Sequence, residues 1–260
     1  MADVQSESDS RKLAIDRVGV TGLRFPATLA VRGGGTEATV ATVNMFVALP
    51  ADRKGTHMSR FLELLNTYRD GLSPERVVEL CRQICLELDA ERSHVELSFP
   101  YFISKAAPAT GRQGLMDYEA SIVCESTPDA DDVILGVTVP ATSLCPCSRE
   151  ISAYGAHNQR CLIRAEARFT EKVWIEELVE YAEQSASCPV YSVLKRPDEK
   201  MVTEMAYDNP KFVEDIVRDL ATVLEQDPRI TWFHARSENH ESIHSHNAWA
   251  EITRGKPPLM

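Results

Sequence analysis

The hydrophobic period of this 260-residue chain changes from two to 3.6 and back, and the change occurs twice. Residues 16–31 and 37–49 bring apolar and β-branched side chains round at near-alternate positions, and Arg32-Gly33-Gly34-Gly35 between them supplies a turn, so a hairpin is predicted. A helix then opens at Gly55-Thr56, carries Met58, Phe61, Leu62, Leu65 and Tyr68 on one face, and stops at Gly71. Ser73 caps a second helix with Pro74 at its first position and Val77, Leu80, Cys81, Ile84, Cys85 and Leu88 as its stripe. Alternation returns at 94–104, 117–125 and 132–140. The second round has a strand at 161–170, a helix over 172–185, a helix starting at Asn209-Pro210, and strands at 229–238 and 247–254. Strands, two helices, strands, and the same order again describe an α+β fold used twice, although the two halves share no visible self-similarity of sequence.

Charge and cysteine usage narrow what such a fold can do. With 39 acids against 28 bases the net charge is −11, which argues against a nucleic-acid surface but leaves room for a local basic pocket that binds a small anion. The first dozen residues lack an apolar signal core, and no stretch approaches the roughly 18 apolar residues that span a bilayer, so a cytoplasmic protein without a membrane partner is expected. Seven cysteines in such a compartment predict thiols that are reduced, buried, metal-bound or reactive rather than a disulfide framework.

Cysteine placement therefore carries information. In Thr142–Arg160, TSLCPCSREISAYGAHNQR, Cys145 and Cys147 flank Pro146, which disfavours a helix and exposes the pair at a strand end. A closed structural zinc site needs a second ligand pair of suitable spacing, and only Cys81 and Cys85, on a helix, come near it. A catalytic site needs three protein ligands, which can come from distant segments. FHARSENHESIHSHNAW holds His234, His240, His244 and His246, with His244 and His246 two apart and so facing one way in an extended segment. His157 is the acid–base candidate of the first stretch, since imidazole titrates near neutrality; a structural histidine is the competing reading. Lys195, Arg196 and Lys200 crowd Pro197-Asp198-Glu199 in what reads as a linker between helices, either a solvated loop or a carboxylate ligand beside phosphate-binding cations. Glu214 falls in the first turn of a helix, where it either balances the helix dipole or anchors the N–H groups of a heterocycle. Gly55–Phe61, GTHMSRF, can present backbone N–H groups, His57 and Arg60 to an anion, or be a simple cap.

Taken together, SLCPCSREISAYGAHNQR, GTHMSRF, KRPDEKMVTEMAYDNPKFVED and SENHESIHSHNAWA resemble the type IB GTP cyclohydrolase I family, from about Asp16 to Arg254. The resemblance implies a bimodular tunnelling fold, two units of antiparallel β-sheet with a helix pair packed on one face, assembled as a homotetramer. It divides the chain into a disordered tail over 1–15, a first unit over 16–140, and a second over 141–260 that carries most site residues. It implies hydrolysis of GTP to 7,8-dihydroneopterin triphosphate and formate, the entry to tetrahydrofolate synthesis.

Carried over by residue, Cys145, Glu199 and His244 match the metal ligands, for zinc, manganese or iron(II), with no organic cofactor. Cys147 matches a second motif cysteine that lies against the substrate, Cys147 and His157 are the candidates for moving protons, and Glu214 resembles the glutamate that grips guanine. Arg149, Lys195, Arg196, Lys200, His57 and Arg60 are the expected cations for the triphosphate. Two alternatives stand beside this: another tunnelling-fold enzyme, a nitrile reductase of 7-deazaguanine metabolism or a pterin synthase, for which no nicotinamide motif is visible; and a non-catalytic metal or redox sensor.

Overall fold

The computed structural model describes Gln5 and residues 7–256. The hairpin forms as expected: β1 (Ile15–Ala30) pairs antiparallel with β2 (Thr36–Leu49), and Gly33, Gly34 and Gly35 turn the chain with φ of 92°, 101° and 95°. Positive φ at three consecutive residues is what glycine supplies without steric cost. The helix pair follows as α1 (Met58–Asn66) and α2 (Pro74–Glu87), with the Ser73 hydroxyl accepting from the Arg76 amide at 3.4 Å. Phe61, Leu65, Val77, Leu80, Cys81 and Ile84 are buried, whereas Met58 and Leu62 of the predicted stripe are exposed. The strands β3 (Ser93–Ala106), β4 (Gln113–Ser126) and β5 (Asp131–Leu144) come next, then α3 (Pro146–Ile151) and β6 (Asn158–Phe169). The chain closes with α4 (Ile175–Ser185), the short β7 (Cys188–Pro189), α5 (Arg196–Asp208), α6 (Val213–Gln226), β8 (Ile230–Asn239) and β9 (Ala248–Gly255).

Two compact units result, one built from the chain up to Pro100 with Ser121–Leu135, the other from Tyr101–Ala120 with the chain from Gly136 onward. The first pairs strands in the order β1-β2-β3-β4-β5 and packs α1 with α2; the second runs β3-β4-β5-β6-β8-β9, with β7 on β5, and packs α4 with α6. Of the expected tail over 1–15, residues 1–4 and Ser6 lie outside the described residues; further on, the Lys54 amide donates to the Glu7 carbonyl at 3.0 Å and the Asp9 amide to Asp52 at 3.1 Å.

Three local expectations are corrected. The segment read as a linker is α5, and the acid three residues on closes its start, because Asp198 accepts the Lys195 amide at 2.9 Å. The same device opens α4, where Glu177 accepts from the Trp174 amide at 2.9 Å, and α6, where Asp215 accepts from Phe212 at 3.0 Å. Residues 209–211 do not start α6: the side-chain Nδ2 of Asn209 donates to the carbonyls of Ala186 and Ser187 at 3.0 and 3.1 Å, and the Lys211 backbone amide to Leu144 at 3.0 Å, which holds them out of the helix. Pro146 does not prevent a helix but begins one, since the first helical position needs no N–H. No helix among the described residues is long and apolar enough to cross a membrane.

Candidate active site

Several candidate residues gather in the second unit around the β5–β6 connection. Cys145 caps α3 with its thiol, which accepts the Ser148 amide at 3.4 Å, and its carbonyl takes the Arg149 amide at 3.2 Å. Its own amide donates to the His157 carbonyl at 3.1 Å, while the His157 amide donates to the Ser148 hydroxyl at 3.1 Å. The half-buried Cys145 and His157 are thus tied together through backbone groups, with the exposed Cys147 two residues on from Cys145, at the second position of α3. The imidazole Nδ1 of His157 lies 3.0 Å from Gln159 Oε1 and 3.3 Å from Ser242 Oγ. Ser242 belongs to the β8–β9 loop, which carries His244, exposed and stacked on His246 with ring centroids 5.3 Å apart.

Helix α5 brings the carboxylate to the same neighbourhood. Its Val202 and Ala206 pack with Leu144, Ala156 and Cys188, the first two directly before Cys145 and His157 in sequence. Glu199 lies three and seven residues before those two and shares their helical face. The start of α5 is pinned by Asp198, fully buried, whose carboxylate accepts from the amides of Ala109 and Thr110 at 2.9 and 2.8 Å, the Thr110 hydroxyl at 2.8 Å and the Lys195 amide. Burial raises the pKa of this carboxyl, but the Lys195 amide, the Thr110 hydroxyl and the amides of Thr110 and Ala109 outweigh it and hold it down to about 2.

Among the described residues no three His, Cys, Asp or Glu side chains are placed to share one ion, so Cys145, Glu199 and His244 share a neighbourhood without closing into a ligand set. Their chemistry does fit a divalent first-row metal in an open site, one thiolate, one carboxylate and one imidazole. Glu214 is exposed at the second position of α6 and makes no hydrogen bond among the described residues, because Asp215 closes the helix start. Lys195, Arg196 and Lys200 cluster, exposed, at the start of α5, with Lys200 only 3.7 Å from Glu204. The Arg149 guanidinium lies 4.6 Å over the Tyr207 ring of α5. In the first unit, His57 and Arg60 line a cavity of about 330 Å³ with Thr56 and Arg53, and Arg60 donates to the Glu87 carbonyl at 2.9 Å. A cavity of about 590 Å³ between the end of α2 and the β4–β5 turn holds none of the candidates.

Sequence reading passed over the residues that hold this region in place: Ser143, Gln159, Asn239 and Asp198, all buried, and Ser242. For Asp198 a signal existed, a proline and an acid two and three residues after Lys195. His234, left without a role, sits between Glu166 at 2.9 Å and Glu251 at 2.7 Å. The hydrogen bond to Glu166 raises its pKa, helped by Glu251 and opposed by burial.

Residues 1–250 match the family described as type I GTP cyclohydrolase FolE2. The GTP cyclohydrolase FolE2 of Magnetococcus marinus is 53% identical over 256 residues, covering 98% of this chain and 97% of its own, and that of Syntrophobacter fumaroxidans is 51% identical, covering 98% and 100%. Among solved structures, a hyper-thermostable AgUricase mutant superposes with a TM-score of 0.59 at 10% identity over 94% of this chain and 93% of its own. The uricase of Arthrobacter globiformis gives 0.54 at 9% over 92% and 93%. At that identity the likeness speaks for the fold alone, which is the tunnelling fold.

Proposed function

Because the chain belongs to the type I GTP cyclohydrolase FolE2 family, we infer that it opens the five-membered ring of guanine in GTP with water, releasing formate and closing to 7,8-dihydroneopterin triphosphate for folate synthesis. The structural observation that supports it most is the gathering of Cys145, His157 and the His244-bearing loop at one connection, with His157 within 3.3 Å of that loop's Ser242.

Cys145, Glu199 and His244 would hold zinc, manganese or iron(II), and a bound divalent ion supplies Lewis-acid polarisation and an acidified water. Glu214 grips guanine: a carboxylate left exposed by Asp215 can accept the paired N1–H and amino N–H of guanine, which adenine does not offer. His157 takes a proton as water adds to C8 and returns it to the ring nitrogen that leaves. Cys147, exposed two residues after Cys145, lies against the substrate. Arg149 and the α5-start cations Lys195, Arg196 and Lys200 meet the triphosphate, and His57 and Arg60, in the first unit, are separate candidates for that role. Assembly is as a homotetramer in the cytoplasm.

Incubating the metal-loaded protein with GTP and assaying formate together with a pterin, fluorescent after oxidation, tests the reading. Absence of both with zinc, manganese and iron(II) would leave a metal-binding module instead. Glu214→Ala should keep its metal and raise the KM for GTP by about tenfold or more, the cost of unpaired N–H groups on the base.

A further inference from the structure

Gln159 follows His157 by two residues in β6, is 8% exposed, and joins the imidazole to the hydroxyl of Ser143, itself 1% exposed. We propose that Gln159 is a positioning residue: with Ser143 and Asn239 it fixes neutral His157 as the tautomer protonated on Nδ1, leaving Nε2 to accept the proton during ring opening. This rests on the catalytic reading of His157 above and adds which nitrogen works and what selects it.

The assignment follows from counting donors. A serine hydroxyl has one proton and two lone pairs. Ser143 Oγ stands 3.0 Å from the Lys211 carbonyl oxygen, which only accepts, so its single proton is committed there. Its other two neighbours must therefore donate to it: Asn239 Nδ2 at 2.9 Å and Gln159 Nε2 at 3.5 Å. The orientation of Asn239 agrees, since its Oδ1 takes the Ser237 hydroxyl at 3.3 Å. With Nε2 of Gln159 turned to Ser143, its Oε1 is the atom 3.0 Å from His157 Nδ1. An amide oxygen cannot donate, so Nδ1 carries the hydrogen.

Ser242 Oγ, 3.3 Å from the same nitrogen, is a hydroxyl that suits either tautomer and so does not select one. Turning the Gln159 amide over would set Oε1 against a hydroxyl with no proton left to give, in a region where unpaired polar groups are costly. Both described hydrogen bonds of the ring fall on Nδ1, and none is made by Nε2 among the described residues. A free histidine side chain in water favours the opposite tautomer, with the proton on Nε2, so the selection is work done by the fold. A histidine held in the wrong tautomer loses its base even when its position is unchanged.

The test is the ring ¹³C and ¹⁵N spectrum of the histidine-labelled, zinc-loaded full chain, with the His157 signals identified by their loss in His157→Asn. Wild-type protein should show Nδ1–H at a pH where the ring is neutral, and this needs no folded variant. Gln159→Met should shift His157 towards Nε2–H and lower kcat about 10- to 100-fold, the usual effect of removing a partner that orients a histidine, with KM for GTP changed about twofold at most. Gln159→Glu, whose carboxylate still accepts from Nδ1 once the Ser143 hydroxyl turns its proton from Lys211 to the other carboxylate oxygen, should restore the Nδ1–H signature and part of kcat, which a merely structural role of Gln159 would not predict. Ser143→Ala should act as Gln159→Met does, more weakly. Nε2–H in the wild type, or one unchanged tautomer in both Gln159→Met and Ser143→Ala, would overturn the proposal. Wild-type turnover by His157→Asn would instead remove the catalytic role of His157 and with it the role given to Nε2, while the spectrum still decides the tautomer.

Discussion

Cys81 and Cys124 lie wholly buried in the first unit, Cys81 on α2 and Cys124 on β4, while Cys145 and Cys147 stand at the start of α3, where neither is buried. The Cys81 sulfur is 3.0 Å from the Ser93 hydroxyl and 3.6 Å from the Cys124 carbonyl oxygen. The hydrogen bond with Cys81, and then burial, push the Cys124 thiol upward. Burial alone drives Cys161, on β6, up to about 12, and it raises Cys85 and Cys188 as well. Protonated thiols of this kind are small apolar atoms that fill space. At the start of α3 the sulfur of Cys145 instead faces a backbone amide and neighbours His157, in a turn whose polar groups outnumber its apolar ones. The difference teaches that the buried strand thiols Cys124, Cys161 and Cys188 form a packing class, and Cys145 and Cys147 at the start of α3 a chemical one.

Two substitutions separate the classes. Cys145→Ala should lose bound metal and lower turnover on the order of a hundredfold or more, beyond what removing an outer partner of a ligand does, while the thermal midpoint of the metal-free protein stays in place. Metal content and formate release are the measurements, and full metal occupancy in the variant would place Cys145 with the packing thiols. Cys161→Ala should do the reverse. Its sulfur fills part of a buried strand, so urea unfolding should show a loss of about 1 kcal/mol with turnover unchanged.

How far the sequence could be read follows the same division. Period and turn chemistry expose whatever is decided locally: the β1–β2 hairpin, α2 with its Ser73 cap, and the buried stripe of α6 all depend on neighbours within a few residues. Helix α5 was hidden because its charged start looks like a solvated loop, and the atoms that stabilise that start, the amides of Ala109 and Thr110, are 89 and 88 residues away. The site divides likewise. Cys145, His157 and Cys147 stand out in one short motif, but Glu199 and His244 were joined to them by family resemblance and not by spacing. Ser143, Gln159 and Asn239 gave no signal, since a polar residue in a strand reads as facing solvent until a partner 16 or 96 residues distant is known.

The smallest expected effect is a slope, and it probes the packing class directly. The Cys161 thiol ordinarily titrates at 9.0 and is held near 12 in the fold, so between those values the unfolded chain gives up a proton that the folded one keeps. The unfolded state then binds fewer protons, and stability must fall as pH rises from about 9 towards 12, whereas below 9 the contribution is complete. Removing the thiol removes its share: unfolding free energy plotted against pH over this window should be flatter in Cys161→Ala than in the wild type. Ile163→Val, a buried change on the same strand that removes no titrating group, should leave the slope as it was. Equal flattening by both substitutions would mean that the slope does not come from the Cys161 thiol, and the contrast between the strand cysteines and the start of α3 would rest on geometry alone.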